Sequence, residues 1–138
     1  MKKILFAVDS TEACKKAAEF VVDFFGSRED CAITLIHVKT PIMLYGEAAL
    51  AAYEEIEKKE NAQSDKLLDD FSKIFTNKGV NVAQKLLEGE AITEVLEYAK
   101  GFDLLVIGQS EATLWNKIFP SNQSDFSAKS PISILIAK

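Results

Sequence analysis

The sequence is poor in the residues that build metal and redox centres. It has two cysteines and one histidine in 138 residues. Cys14 and Cys31 lie far apart, form no CxxC pair, and do not cluster with His37, so a zinc site is not expected. Both cysteines read as packed, reduced thiols, Cys14 on a helix and Cys31 at the start of a strand. Positive charge is also scarce. With 16 basic against 21 acidic residues the net charge is −5, which leaves no basic footprint for nucleic acid. No apolar run approaches the roughly 20 residues that span a bilayer. The opening "MKKILFAVDS" meets Asp9 too soon for a signal peptide. The expectation is a soluble, cytoplasmic protein with neither nucleic-acid nor membrane partners. Glycine is missing from "DSTEAC" after the first apolar run, which excludes a dinucleotide-type GxGxxG turn there. A Walker lysine loop and a nucleophile–base pair are missing too, so an enzyme is not expected.

What is present is regular alternation. Five short apolar runs occur at Ile4–Val8, Ile33–Val38, Val80–Leu87, Leu104–Ile107 and Ile132–Ala137. The first and fourth are continuous and uncharged, as strands buried on both faces should be. The third alternates at first, which places it nearer an edge. Helical spacing fills the gaps. Ala17, Phe20, Val21 and Phe24 recur at i, i+3, i+4 and i+7, as do Ile92, Val95, Leu96 and Ala99. A long segment, Glu47 to Asn77, carries Leu67, Leu68, Phe71, Ile74 and Phe75 on one face. Gly26, Gly79 and Gly101 each follow a helical stretch, where a left-handed C-cap is expected. Asp9, Ser10 and Thr11 supply N-caps for the first helix.

The order β-α-β-α-β-α-β-α-β in a chain of this length predicts one α/β domain over residues 1–138. Its sheet should be open and parallel, with helices on both faces. In such sheets ligands bind beyond the carboxyl ends of the strands, where the winding reverses. Asp9 and Gly108 stand at two such ends. His37 reads as a satisfied histidine at a strand end. The acidic and basic residues from Glu54 to Glu60 read as a solvated helix face.

The ordered set "KKILFAVDSTEACKKAAEF", "ITLIHV", "LLEGEAITEVLEYAK", "FDLLVIG" and "SPISILIAK" resembles the universal stress protein family over essentially the whole chain. The resemblance implies a Rossmann-like sheet of five parallel strands in the order 3-2-1-4-5. It also implies a homodimer through the closing strand, Ile132 to Ala137. Nucleotide-binding members have an acid after the first strand, backbone contacts at the end of the second, and a loop Gly-x2-Gly-x9-Gly-Ser/Thr. By position, Asp9 matches the acid, Val38 the strand contact and Gly108 the first loop glycine. After Gly108 the pattern departs. Glu111 stands at the second glycine and Pro120 or Ser121 at the third; the hydroxyl position is then Ser121 or Asn122, and the register with Pro120 and Ser121 fits the closing segment better.

A phosphate loop presents backbone N–H groups to an anion, and glycine permits the close approach. Proline removes a donor, and Glu111 adds like charge. The expectation is therefore a stress-related regulator that acts through an unidentified protein partner, without tight ATP binding and without a required cofactor. The alternative is an ATP and Mg²⁺ sensor that uses Asp9, Val38, Gly108 and Ser121, with slow hydrolysis as a further step. Asp9 has two readings, as a helix cap alone or as a ligand contact. Leu114, Trp115, Ile118 and Phe119 form an apolar face on a short helix, which either packs over the sheet end or meets a partner. A response-regulator receiver has a similar alternation but needs an acidic pair after the first strand and an Asp after the third. Here a single Asp9 and Leu87-Glu88-Gly89 stand there instead.

Overall fold

The structure, a computed structural model, describes residues 1–39, 47–108 and 130–137, with backbone only for 47–51. The elements in chain order are β1 (Lys2–Ala7), α1 (Glu12–Phe25), β2 (Cys31–Lys39), α2 (Glu47–Thr76), β3 (Val82–Glu88), α3 (Ala91–Ala99), β4 (Leu104–Gly108) and β5 (Ser133–Ala137). All five strands are parallel and lie in the order β3-β2-β1-β4-β5. The expected topology is the one observed. The helix expected between β4 and β5 lies outside the described residues, as do Glu111, Trp115, Phe119, Pro120 and Ser121.

Right-handed crossovers decide the layers. From β1 through β2 to β3 the chain steps in one direction, so α1 and α2 lie on one face. The return from β3 to β4 reverses the step and puts α3 on the other. The alternating side chains of the central strands serve both layers. Ile4, Phe6, Val8, Leu35 and Val106 pack with α1 and α2. Leu5, Ala7, Ile36, Leu105 and Ile107 pack with Ile92, Val95 and Ala99 of α3. Burial on both faces explains why β1 and β4 read as unbroken apolar runs. β3, at one edge, keeps Ala83, Gln84 and Lys85 exposed.

Two expectations need correction. Phe20 and Phe24 do not join the inner face of α1; they are 42% and 59% exposed. The buried line is Cys14, Ala17, Ala18, Val21 and Val22. Small residues at its centre let the helix approach the sheet closely, and this rotates the two phenylalanines onto an outer flank. Of the three helix-end glycines, only Gly79 is left-handed, with φ +76°. Gly26 continues the right-handed turn, with φ −65° and its N–H bonded to Val22. It is needed for a different reason: a Cβ there would lie 2.9 Å from Val80 Cγ2. Gly101 has neither a positive φ nor a close neighbour, and nothing in the structure explains it. Among the described residues no helix is long and apolar enough to cross a membrane.

Candidate functional site

The winding reverses between β1 and β4, so the crevice lies at the carboxyl edge of β1 and its neighbours. Register brings the expected residues there. Ala7 pairs with Ile36, which sets Val8 and Asp9 beside His37 and Val38. The Val8 N–H donates to Ile36 O at 2.8 Å. Asp9 and Val38 thus line one cavity, together with Val8, His37, and Ala91 and Val95 from α3. The cavity holds about 30 Å³, close to the volume of one liquid water. Ligand pockets usually hold about 300–1,000 Å³. A larger, open hollow of about 490 Å³ lies along α3, between Thr93, Leu96, Lys100 and Pro131. It is shallow, and its Lys100 is paired with Glu97.

Asp9 is occupied locally. Its Oδ1 accepts from both the backbone N–H and the hydroxyl of Thr11. Thr11 in turn is the N-cap of α1, with Oγ1 accepting from Cys14 N at 3.2 Å. Asp9 therefore orients the capping residue rather than capping the helix itself. At the other helix near the crevice, Glu90 caps α3 through the N–H groups of Ile92 and Thr93. The Thr93 hydroxyl, followed by those N–H groups, holds the Glu90 carboxyl below the usual range against its partial desolvation.

His37 spans the crevice wall. Its Nδ1–H donates to Val8 O at 2.9 Å, tying the ends of β1 and β2 together, as expected of a satisfied histidine. Gly108 ends β4 and is buried, but it does not line the cavity. A Cβ on it would lie 3.0–3.2 Å from the backbone of Ala13 and Cys14. Glycine at this position therefore has a packing reason that needs no ligand: it lets the first turn of α1 sit against β4. Val106, two residues before it, is fully buried beneath the same layer.

Sequence reasoning missed the part played by Cys14. Its Sγ accepts from Asp9 N at 3.3 Å and donates to Ala7 O at 3.7 Å. The thiol joins the end of β1 to the first turn of α1. Burial, and then the negative charge of Asp9, push its pKa up to about 12 from 9.0. The folded thiol therefore stays protonated where the unfolded one ionises. Stability from this group is fully present below pH 9 and is lost as the pH rises from 9.0 towards 12. The slope is about 1.4 kcal/mol per pH unit. Cys14→Ala should remove that slope, as read from urea unfolding of both proteins between these limits. Equal slopes would place Cys14 in water. Among the described residues no cluster of His, Cys, Asp and Glu could hold a metal ion.

A model of the universal stress protein family matches residues 1–138. A universal stress protein of Helicobacter pylori is 33% identical over 135 residues, covering 98% of each chain. Among solved structures, the universal stress protein UspA of Lactobacillus plantarum superposes with a TM-score of 0.78 at 18% identity, covering 99% of this chain and 97% of its own. A family protein of Arabidopsis thaliana with AMP bound superposes with a TM-score of 0.71 at 18% identity, covering 100% and 92%. The topology and the full-length matches agree: the chain belongs to the universal stress protein family.

Proposed function

We propose that this stress-response protein regulates through protein contacts, as a homodimer, and does not bind ATP tightly. The observation that carries the reading is the small size of the cavity that Asp9 and Val38 line among the described residues. At about 30 Å³ it does not by itself hold a base, and the His37–Val8 hydrogen bond opposes widening between β1 and β2. Asp9 is engaged by Thr11, so a ligand would have to compete for its carboxylate. Glu111 and Pro120, where the family pattern has glycines, support the same reading.

A second reading has its own support. Asp9 and Val38 face one cavity, and the Arabidopsis relative carries AMP. On that reading the chain is an adenine-nucleotide sensor whose occupancy controls its partners, with Gly108 and Ser121 completing the site.

A thermal-shift titration with ATP and Mg²⁺ separates the two. A ligand at 100 times its Kd stabilises the fold by about 2.7 kcal/mol. For a chain of this length that raises Tm by on the order of 5–15 °C. No such shift is expected at millimolar ATP; a Mg²⁺-dependent shift with a low-micromolar Kd would establish the sensor instead. If the loop is the obstacle, Glu111→Gly with Pro120→Gly should gain nucleotide binding in the same assay. Unchanged binding in that folded double variant would move the obstacle to the crevice around His37.

A further inference from the structure

α2 changes character halfway along. From Leu67 onward its inner face is apolar, with Leu68, Phe71 and Phe75 buried in the core. Before Leu67 the same face turns polar: Ser64, Asn61, Glu60 and Glu57 follow at helical spacing, none of them exposed. Among the described residues, neither Tyr53 nor Ile56, further towards the start of the helix, packs into either core cluster. A buried lysine lies at the junction. Lys39, the last residue of β2, is 7% exposed. Its Nζ donates to Asn61 Oδ1 at 2.6 Å. Ser64, one turn from Asn61, is equally buried.

Two contacts fix the level of the helix on the sheet. Phe71 meets Phe6, and Phe6 pairs in register with Leu35. Asn61 meets Lys39, four residues beyond Leu35 on β2. Four strand residues advance about 13 Å. The ten helical steps from Phe71 back to Asn61 advance about 15 Å. Helix and strand thus run side by side, and Asn61 stands level with the end of β2. The half of α2 before it, from Glu47 to Glu60, continues past the end of β2 by about 20 Å.

The two halves are held by different physics. A phenylalanine anchor that leaves the sheet loses its burial, and nothing in water replaces it. A buried ammonium that leaves regains its hydration, so desolvation opposes the contact that its hydrogen bond favours. The junction is therefore close to balance, whereas the anchored half is not.

We propose that Lys39 and Asn61 form a latch at a hinge in α2. The half from Ala52 to Glu60 opens from the carboxyl edge as a unit, while Leu68 to Phe75 stays on the sheet. The hinge gives the end of β2, beside Val38, two states, covered and open. Lys39 is the fixed part of the latch: its backbone carbonyl accepts from Gly89 N at 3.0 Å, which holds it to the turn between β3 and α3. Asn61 is the part that departs. The device needs no nucleotide, so it stands or falls apart from the reading of the crevice above.

Hydrogen exchange of the native chain, resolved amide by amide, tests the hinge. Amides from Ala52 to Glu60 should exchange at nearly one rate, about tenfold or more faster than those from Leu68 to Phe75, with a step near Asn61. Asn61→Leu leaves the ammonium buried without its acceptor and should speed exchange in the first half by about tenfold. The second half should not change. Lys39→Met keeps the length of the side chain and removes the charge. It should slow exchange in the first half and leave Tm equal or higher. Lys39→Met with Asn61→Leu should behave like Lys39→Met, because no ammonium remains to be stranded. Simple fraying from the start of α2 gives a graded profile that is insensitive to Lys39. The proposal is overturned by a graded profile, by equal rates in the two halves, or if Lys39→Met fails to slow exchange in the first half.

Discussion

Phe71→Ala is expected to lower stability by about 3–5 kcal/mol and Tm by on the order of 10–20 °C. Phe71 is 2% exposed and Phe6, on the central strand β1, is fully buried. Their rings meet edge to face, with centroids 6.3 Å apart and planes at 85°. Phe75 approaches the same Phe6 ring at 6.4 Å and 66°. Such pairs contribute about 0.5–1.5 kcal/mol beyond the area they bury. The consequence is larger than for an average core residue because of what α2 depends on. Among the described residues its buried apolar anchors are Leu68, Phe71 and Phe75, all in its second half; the stretch from Glu54 to Glu60 is largely charged and exposed. Removing the middle anchor leaves a cavity against β1, at the strand whose end positions Asp9. Phe24→Ala, on the exposed flank of α1, should change stability by no more than about 0.5 kcal/mol. Thermal denaturation of the two variants checks the contrast. Comparable losses would mean that the Phe6 cluster does not hold α2 to the sheet.

The same contrast shows what the sequence made legible. Continuous runs at β1 and β4 announced strands buried on both faces, and the alternating start of β3 announced an edge. Both follow from the pattern of a strand with one or two covered faces, which is a local property. The apolar spacing of α2 placed Phe71 and Phe75 inward for the same reason. In α1 the periodicity was right but its phase was not. Spacing alone weighs a phenylalanine above an alanine, whereas close helix–sheet approach selects Ala17 and Ala18. Asp9 and Val38 were named together through the family resemblance, and the register of β1 with β2 sets them side by side. The size of the space between them was not legible. It depends on how Ala91 and Val95 of α3 pack from below and on the turn of the His37 ring, and neither is encoded near Asp9. The bridging thiol of Cys14 was hidden similarly: a helical cysteine reads as packing, and only the fold brings it to Asp9 N. Ser121 and the loop around it lie outside the described residues.

The native chain is expected to be a dimer through β5, and Ile136→Lys is expected to make it a monomer that keeps its fold. The two edges of the sheet differ in how they meet water. An edge strand offers unpaired backbone N–H and C=O groups as a template for another chain, and proteins blunt that edge with charge, proline or a cover. β3 is blunted: Gln84, Lys85 and Glu88 are all exposed along it, and Gln84 is held by Asp69 of α2 at 3.3 Å. β5 runs Ser-Ile-Leu-Ile-Ala with no charge. Among the described residues it pairs along its length with β4 alone. Ile136 is 38% exposed. Among the described residues, protection stops at the entrance to the strand. There Pro131 lacks an N–H, and the Ser130 hydroxyl donates to Ile132 O at 2.7 Å. Antiparallel pairing of two β5 strands about a twofold axis satisfies both edges and joins the two sheets into one. A lysine at Ile136 gives β5 the kind of device that β3 already has. Its partial exposure lets the ammonium stay in water in the monomer, whereas in the dimer it would be desolvated beside its symmetry mate. Light scattering should give twice the chain mass for the native protein and the single mass for the variant, with unchanged far-UV circular dichroism. A native chain that stays monomeric at tens of micromolar would refute the pairing, because an uncharged apolar edge would then be tolerated in water without a cover.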